Sequence, residues 1–299
     1  ILLVFGNTSE ERHCERFHQF WRGTVADMTR GPEDVYDDAA VNAWIQDDPD
    51  PATRAELTEL LSAAGSHGEQ AQAARRALND AFSGTLAFGT AGLRGRLGGG
   101  PNRMNRVVVI RAAAGLSEYL KSRLGEGFSV VIGYDARHNS EQFARDTAAV
   151  VTGAGGRAIL FESHCPTPVL AFALRRLEAD AGVMVTASHN PPQDNGYKVY
   201  LGGRAVTDSG QGAQIVPPYD SQIAAAIDAV GPVGSVPRPQ SGWETVDPGI
   251  REEYIERAAQ AARMTAPTPV RIVLTAMHGV GGATCREVLA RAGFTDVVE

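Results

Sequence analysis

The sequence predicts an α/β fold, namely a three-layer α/β/α domain with a mainly parallel sheet, a helical N-terminal extension and the start of a second, similar domain. Strand-length apolar runs alternate with segments of helical periodicity from residue 129 onward, which is typical of a parallel sheet with helical crossovers. Residues up to about 82 are rich in Ala, Glu, Asp, Arg and Gln. Proline and glycine are concentrated in residues 231–242, as in interdomain linkers. The predicted boundaries are 1–84 for the extension, 85–236 for the first domain, 237–246 for the linker and 247–299 for the second domain.

The N-terminal extension is predicted to be helical because Leu57, Leu60 and Leu61 recur at helical spacing within residues 52–82. The chain begins with Ile1 rather than methionine and ends within a predicted strand. We therefore expect both ends to be cut. Met28 is a candidate natural start, and residues 1–5 form either a small strand or sequence upstream of that start.

The first domain opens with a glycine-dense segment, residues 88–103, which is predicted to be a loop because glycine disfavours regular structure. Apolar residues recur every four positions in residues 105–124 and predict a helix, although its β-branched start is also compatible with a strand. Asn139 followed by Gln142 predicts a capped helix that ends at Gly153. The other predicted elements are strands at 129–133, 158–161, 182–185 and 197–201, and helices at 168–177 and 219–230.

The second domain is predicted to begin with a helix at residues 249–264. A strand at 270–275, a helix at 281–292 and an unfinished strand near Asp296 follow. This is the same strand and helix alternation as in the first domain, so a second α/β unit is expected.

Composition excludes several classes of protein. Hydrophobic residues make up 43% and charged residues 21% of the 299 residues, as in globular proteins. A net charge of -7 and the lack of a basic run argue against a nucleic-acid partner. The three cysteines are far apart in the sequence, so neither a disulfide framework nor a zinc site is predicted. Because no disulfides are predicted, a cytoplasmic location is expected. No apolar stretch approaches the roughly 18 residues that a membrane span needs. The oligomeric state is not predicted.

A functional site is expected where loops leave the carboxyl ends of the parallel strands. These loops begin at Tyr134, Glu162 and Thr186. The third loop carries the sequence TASHNPP at residues 186–192, directly after a buried strand. Two prolines restrict the backbone after Ser188, and the neighbouring histidine and asparagine offer hydrogen bonds.

Four segments resemble the α-D-phosphohexomutase family. The TASHNPP loop and the longer stretch 186–200 are similar to the phosphoserine loop of phosphoglucomutases, phosphomannomutases and phosphopentomutases. The segments FGTAGLRG at 88–95, GYDAR at 133–137 and PTP at 166–168 agree with the family in order and spacing. The resemblance covers roughly residues 85–230.

This resemblance implies a phosphosugar mutase that moves a phosphoryl group within a hexose or pentose phosphate, through a phosphoserine and a bisphosphate intermediate. It implies that Ser188 is the covalent carrier and that Arg94 and Lys198 lie near the reacting phosphoryl group. Thr90 and Asn190 become expected substrate contacts. Arginine binds phosphate as a fork and lysine as a point charge, which suits both residues.

Some of these residues also have simpler interpretations. Arg94 could cap a loop and Lys198 could face solvent from a strand, but their place within the motifs favours function. His189 is either a general acid or base, since its ordinary pKa is near 6.5, or a structural hydrogen-bonding residue. Asp135 and Arg137 are interpreted as an ion pair that organises their loop, with no chemical role.

The resemblance further implies Mg²⁺ as cofactor, bound in part by the phosphate on Ser188, and a sugar bisphosphate as activator and intermediate. The family's metal loop is an aspartate triplet followed by arginine in the second domain. The acidic run at residues 47–51 lies too early for that loop and is interpreted as a helix-breaking, N-capping stretch. We expect the metal loop and the third and fourth domains to lie beyond Glu299, so activity of this chain alone is left open.

Parts of the sequence suggest three other functions. A dinucleotide-binding oxidoreductase is suggested by the glycine-rich segment 279–284, but Thr284 occupies the third glycine position. A serine hydrolase is rejected because Ser188 lacks the G-x-S-x-G context. A phosphosugar-binding or otherwise inactive remnant stays open, and phosphoryl incorporation at Ser188 would distinguish it from a mutase.

Overall fold

The computed structural model describes residues 36–90, 92–262 and 271–299. The predictions for residues 1–5 and Met28 lie outside these residues. The helices are α1 (Asp38–Asp47), α2 (Pro51–Ala64), α3 (Glu69–Phe82), α4 (Arg106–Leu124), α5 (Ser140–Gly153), α6 (Thr167–Arg176), α7 (Tyr219–Asp228), α8 (Gly249–Ala262) and α9 (Gly282–Arg291). The strands are β1 (Leu93–Arg96), β2 (Ser129–Tyr134), β3 (Arg157–Leu160), β4 (Ala181–Val185), β5 (Asp194–Leu201), β6 (Glu244–Thr245), β7 (Ile272–Val273) and β8 (Val297–Val298).

The main sheet has six strands in the order β1-β5-β4-β2-β3-β6. Strand β5 is antiparallel to both of its neighbours, whereas the β4-β2, β2-β3 and β3-β6 pairs are parallel. The predicted mainly parallel sheet is therefore confirmed. Because β5 runs antiparallel to β4, a short loop at residues 186–193 is enough to join them. A parallel arrangement would need a long crossover connection.

Helices cover both faces of this sheet and complete three layers. On one face, α4, α5 and α7 share a core with inward residues of the central strands, such as Val130, Val183 and Val199. On the other face, α6 and α8 pack on residues of opposite orientation, such as Val131 and Met184. Alternation of buried side chains along each strand fixes which residues face which layer.

The N-terminal extension contains the predicted helices, but residues 52–82 do not form one continuous element. Gly65 caps the end of α2, and Gly68, at φ 97°, precedes α3. Glycine adopts such left-handed backbone angles without steric cost, so this turn separates the two helices. The two helices pack with α1 around a core that includes Val41, Leu57 and Leu78.

The acidic run before α2 has structural roles. Asp50 is the N-cap of α2 and accepts a hydrogen bond from the Ala52 amide at 2.9 Å. The Asp47 carboxylate accepts hydrogen bonds from the amides of Val233 and Gly234, each at 2.8 Å. The N-capping interpretation is confirmed, and the carboxylates satisfy backbone donors that would otherwise lack partners.

Two local predictions in the first domain were wrong. Part of the glycine-dense segment forms strand β1 and pairs with β5, because cross-strand hydrogen bonds compensate for glycine's weak preference for strands. Asn139 lies at the start of α5 with a left-handed φ of 64° and makes no side-chain cap. The adjacent Ser140 hydroxyl instead donates to Asp135 at 2.7 Å.

The C-terminal segment has the predicted helices and strands, with strands of two residues each. Strands β7 and β8 form a separate parallel pair. Val273, Met277 and Val298 are 77%, 84% and 49% exposed, so apolar side chains lie on the surface of this segment. Within the described residues, no helix is both long and apolar enough to cross a bilayer.

Candidate active site

The loop between β4 and β5 presents Ser188 to solvent. Its backbone has a left-handed φ of 58°, which is uncommon for a residue other than glycine, Asn or Asp. The Ser188 amide donates to the Thr186 hydroxyl at 2.9 Å, and the Asn190 amide donates to the Ala187 carbonyl at 3.0 Å. These local bonds form a tight turn that directs the serine hydroxyl away from the buried strand.

His189 is also exposed, and its Nδ1 lies 3.3 Å from Ser188 Oγ. A ring nitrogen at this distance can donate to or accept from the hydroxyl, depending on the tautomer. The geometry is compatible with both interpretations of His189, proton transfer and structural hydrogen bonding.

Arg137, from the loop after β2, binds the backbone of the Ser188 loop, residues 186–194. Its guanidinium donates to the carbonyls of Ser188 at 2.9 Å and Asn190 at 2.7 Å. It also donates to the carbonyls of Pro191 at 2.8 Å and Asp194 at 3.0 Å. Two of the three loops expected at the site are therefore joined directly.

The predicted ion pair between Arg137 and Asp135 is confirmed, with 3.4 Å between Nε and Oδ2. The carboxylate also accepts from the Ser140 hydroxyl at 2.7 Å, and this hydroxyl in turn accepts from Asn195 Nδ2 at 2.9 Å. Asn195 is fully buried, and its Nδ2 also donates to the His138 carbonyl at 2.9 Å. Sequence reasoning missed Asn195, although its place in the stretch 186–200 was a usable signal.

The third expected loop, after β3, contacts Tyr134 at the carboxyl end of β2. The Tyr134 hydroxyl donates to the Glu162 carbonyl at 3.0 Å. Cys165 at the end of this loop is buried, and burial raises the pKa of its thiol to about 12. The thiol is therefore protonated near neutral pH and is no nucleophile. Cys165 and Cys285 are both free.

Arg94 lies on β1 and contacts the Ser188 loop through a side-chain relay. Arg94 Nη1 donates to Asn190 Oδ1 at 3.3 Å, and Asn190 Nδ2 donates to Asp194 Oδ2 at 2.9 Å. Arg94 pairs with Gly196 in the β1-β5 register, which brings the 88–95 motif beside the 186–200 motif.

Lys198 lies on β5, half-buried, next to Arg94. Desolvation, and then the positive charge of Arg94, lower the pKa of Lys198 below its ordinary value. Within the described residues, neither Lys198 nor Arg94 forms an ion pair with a carboxylate. Two adjacent cations without a counter-ion favour the binding of an anion such as phosphate.

Thr90 is placed differently from the other predicted residues. It is exposed in the loop before β1, and its carbonyl accepts from Gln214 Nε2 at 2.6 Å. It makes no hydrogen bond to the Ser188 loop among the described residues. Its predicted contact with substrate is therefore supported only by its motif.

Close backbone packing fixes β1 against β5. A Cβ on Gly92, at φ 74°, would lie 2.0 Å from the Tyr197 carbonyl oxygen. We predict that Gly92→Ala lowers the free energy of unfolding by about 2–4 kcal/mol, since it combines left-handed strain with a backbone clash. Urea unfolding measures this change. Gly84→Ala is the matched control because nothing lies within 4 Å of its Cβ, and equal stability of the two variants would contradict the prediction.

The acidic side chains near Ser188 do not complete a metal site. Across residues 36–90, 92–262 and 271–299, no group of three or more His, Cys, Asp or Glu side chains could hold a metal ion. Asp135 and Asp194 are occupied by the loop contacts described above. A phosphate on Ser188 would supply anionic oxygens that suit Mg²⁺, but the described residues do not fit a complete Mg²⁺ site.

Residues 85–231 match the α/β/α domain I of the phosphoglucomutase/phosphomannomutase family. The fold, the loop around Ser188 and this match agree, and the chain belongs to the α-D-phosphohexomutase family.

Individual relatives extend this result. A probable phosphomannomutase of Haemophilus influenzae is 49% identical over 193 residues, which cover 64% of this chain and 38% of the relative. A phosphoribomutase of Saccharomyces cerevisiae is 38% identical over 201 residues, covering 66% of this chain and 29% of the relative. The chain therefore spans well under half the length of these relatives. A phosphoglucomutase/phosphomannomutase family protein of Burkholderia thailandensis has the same fold, with a TM-score of 0.54 and 22% identity over 72% of this chain and 43% of its own.

Proposed function

We propose that this chain is part of a phosphosugar mutase in which Ser188 carries the phosphoryl group. One observation supports this most strongly: Arg94 and Lys198, which have no carboxylate partner among the described residues, lie on strands next to the hydrogen-bonded loop that exposes the Ser188 hydroxyl. A carrier serine needs an exposed hydroxyl, a fixed backbone and nearby positive charge, and these three conditions are met together.

In the proposed reaction, a hydroxyl oxygen of the sugar phosphate attacks the phosphorus of phosphoserine 188. The bond between phosphorus and Ser188 Oγ breaks, and a sugar bisphosphate forms. The sugar hydroxyl loses one proton and Oγ gains one. His189 is proposed to deliver that proton and to remove it again when the second phosphoryl group returns to Ser188, and the 3.3 Å between its Nδ1 and Oγ supports this role.

Arg94 and Lys198 are proposed to bind the oxygens of the phosphoryl group during transfer. Phosphoryl transfer depends mainly on positioning and charge stabilisation. A phosphate with a charge of about -1.5 to -2 on Ser188 would offset the two positive charges. Mg²⁺ would add to this neutralisation, and its remaining ligands are proposed to lie beyond the residues described.

The substrate is proposed to be a hexose or pentose phosphate. The two relatives described above are named for mannose and ribose phosphates. Because these names differ in the sugar, they support a sugar-phosphate class rather than one sugar. The non-enzymatic alternative, a phosphosugar-binding remnant, predicts binding without transfer.

Phosphoryl labelling tests the proposal. After incubation with a labelled hexose bisphosphate, mass spectrometry should find one phosphoryl group, located in the peptide from Thr186 to Lys198. A label on another peptide would contradict the role of Ser188. Saturable binding of the bisphosphate with no label on the protein would favour the binding remnant.

A further inference from the structure

The Arg137 side chain uses its full set of donors on one loop and one carboxylate. Its two terminal nitrogens make four hydrogen bonds to carbonyl oxygens of the Ser188 loop, between 2.7 and 3.0 Å. The remaining nitrogen, Nε, faces Asp135 at 3.4 Å, and the side chain is only 14% exposed. Guanidinium has five N–H donors in a rigid plane, and four of them donate here to backbone carbonyls while the fifth, on Nε, faces a carboxylate.

The four carbonyls belong to residues at both ends of the loop. Ser188 and Asn190 lie near its start, and Pro191 and Asp194 lie near its return into β5. One planar cation therefore fixes the distance between the two ends. Without it, the four carbonyls would lose their donor, which is unfavourable above all for the partly buried carbonyls of Asn190 and Asp194 because buried acceptors need partners.

The bond to Ser188 has a particular effect. The left-handed φ of 58° at Ser188 is intrinsically unfavourable for a residue with a Cβ atom, and such a conformation persists where the surroundings determine it. The Ser188 carbonyl accepts from Arg137 Nη2 at 2.9 Å, and this bond is available only while the carbonyl points toward the guanidinium. Rotation of that peptide group to a relaxed conformation would redirect the serine hydroxyl.

We propose that Arg137 is a positioning residue for phosphoryl transfer, acting through the loop backbone to hold the Ser188 hydroxyl at the phosphate site. This role rests on the proposed function of Ser188. It also requires arginine specifically, because the ammonium group of lysine has three donors on one atom and cannot reach four divergent carbonyls.

Hydrogen exchange measures the clamp independently of activity. In Arg137→Gln and Arg137→Lys, the amides of Asn190 and Asp194, which close turns within the loop, should exchange about tenfold faster or more, while the sheet is unchanged. Arg145→Gln is the matched control, since Arg145 is exposed and is hydrogen-bonded to Glu141 on its own helix. It should leave loop exchange as in the unmodified chain.

Phosphoryl incorporation from the labelled hexose bisphosphate measures the consequence. Its initial rate should fall by about 100-fold or more in both Arg137 variants, because small displacements of a reacting group are costly, and should be unchanged in Arg145→Gln. If Arg137→Gln does not fold by circular dichroism, Arg137→Lys, which keeps the charge and most of the stem, is the variant measured.

The outcomes separate the two proposals. Unchanged loop exchange in a folded Arg137 variant, or faster exchange with labelling at the original rate, would overturn the positioning role. Absence of labelling in the unmodified full-length enzyme would instead overturn the proposed function of Ser188. Faster exchange together with slower labelling supports both.

Discussion

Ser188→Ala is expected to remove phosphoryl exchange between a hexose bisphosphate and a hexose phosphate, by a factor of at least about 10⁴ in the full-length enzyme. The reason is chemical, since alanine has no oxygen that could form the phosphoester. The fold should change little, because Ser188 is exposed and its hydroxyl contacts only the neighbouring His189 among the described residues. We expect a change in the free energy of unfolding within about 0.5 kcal/mol.

Exchange of label between the two sugars measures the activity, and urea unfolding measures stability. Ser209→Ala is the matched control, because Ser209 is an exposed loop serine outside the four family motifs. It should retain full exchange. Full activity in Ser188→Ala would exclude the covalent role, and a loss of stability comparable to the loss of activity would make its inactivity uninformative about chemistry.

Lys198→Met is expected to lower kcat/KM by about 100- to 1,000-fold, as found when one charge-stabilising donor is removed from an active site. The same substitution is expected to preserve or raise the stability of the fold. Desolvation, then Arg94, hold the pKa of Lys198 below its ordinary value, so the unfolded chain binds the proton more tightly than the folded chain. Stability therefore rises as pH increases through the folded pKa, and an uncharged side chain of similar length should preserve or raise the melting temperature at neutral pH.

Lower activity together with preserved stability would show that the charge of Lys198 serves the reaction and not the stability of the fold. Lys121→Met is the control, since Lys121 lies on the surface of α4 and pairs with Glu126 at 3.2 Å. It should change neither kcat/KM nor its pH profile. Activity that depends on charged Lys198 should decline at alkaline pH as this side chain loses its proton, and an unaltered alkaline limb in Lys198→Met would contradict this role.

Sequence patterns predicted the elements of the first domain where a local period determines the structure. The four-residue spacing in residues 105–124 and the apolar run before Thr186 are local signals, and the predicted helix and strand are both confirmed. Strand β1 was missed because its stability comes from pairing with β5, about a hundred residues later, which no local pattern records. The Asn139 cap failed for a related reason, since the side chain that organises the start of α5 is Ser140, bonded to Asp135 in the preceding loop.

The site shows the same division. The Asp135–Arg137 ion pair was predicted from two neighbouring residues and is confirmed, whereas the role of Ser188, predicted from its motif, stays a prediction. The four carbonyl contacts of Arg137 could not be predicted, because they involve backbone oxygens, which carry no residue-specific signature in a sequence. The adjacency of Arg94 and Lys198 likewise depends on the register of β1 and β5.

Strand β6 has a consequence for where the first domain can be cut. The family match ends at residue 231, yet Glu244–Thr245 pairs with β3 and covers what would otherwise be the open side of the sheet. Trp243, before this strand, packs against the core under α4, α5 and α7, and Val246, after it, belongs to the core under α6 and α8. The residues that flank β6 therefore cover both faces of the sheet at this edge. A polypeptide ended at residue 231 would leave β3 as an unprotected edge between two uncovered apolar margins, which favours intermolecular strand pairing. The segment that follows β6 is thus attached to the sheet by the hydrogen bonds between β6 and β3. Any movement of α8 relative to Ser188 is limited by this attachment.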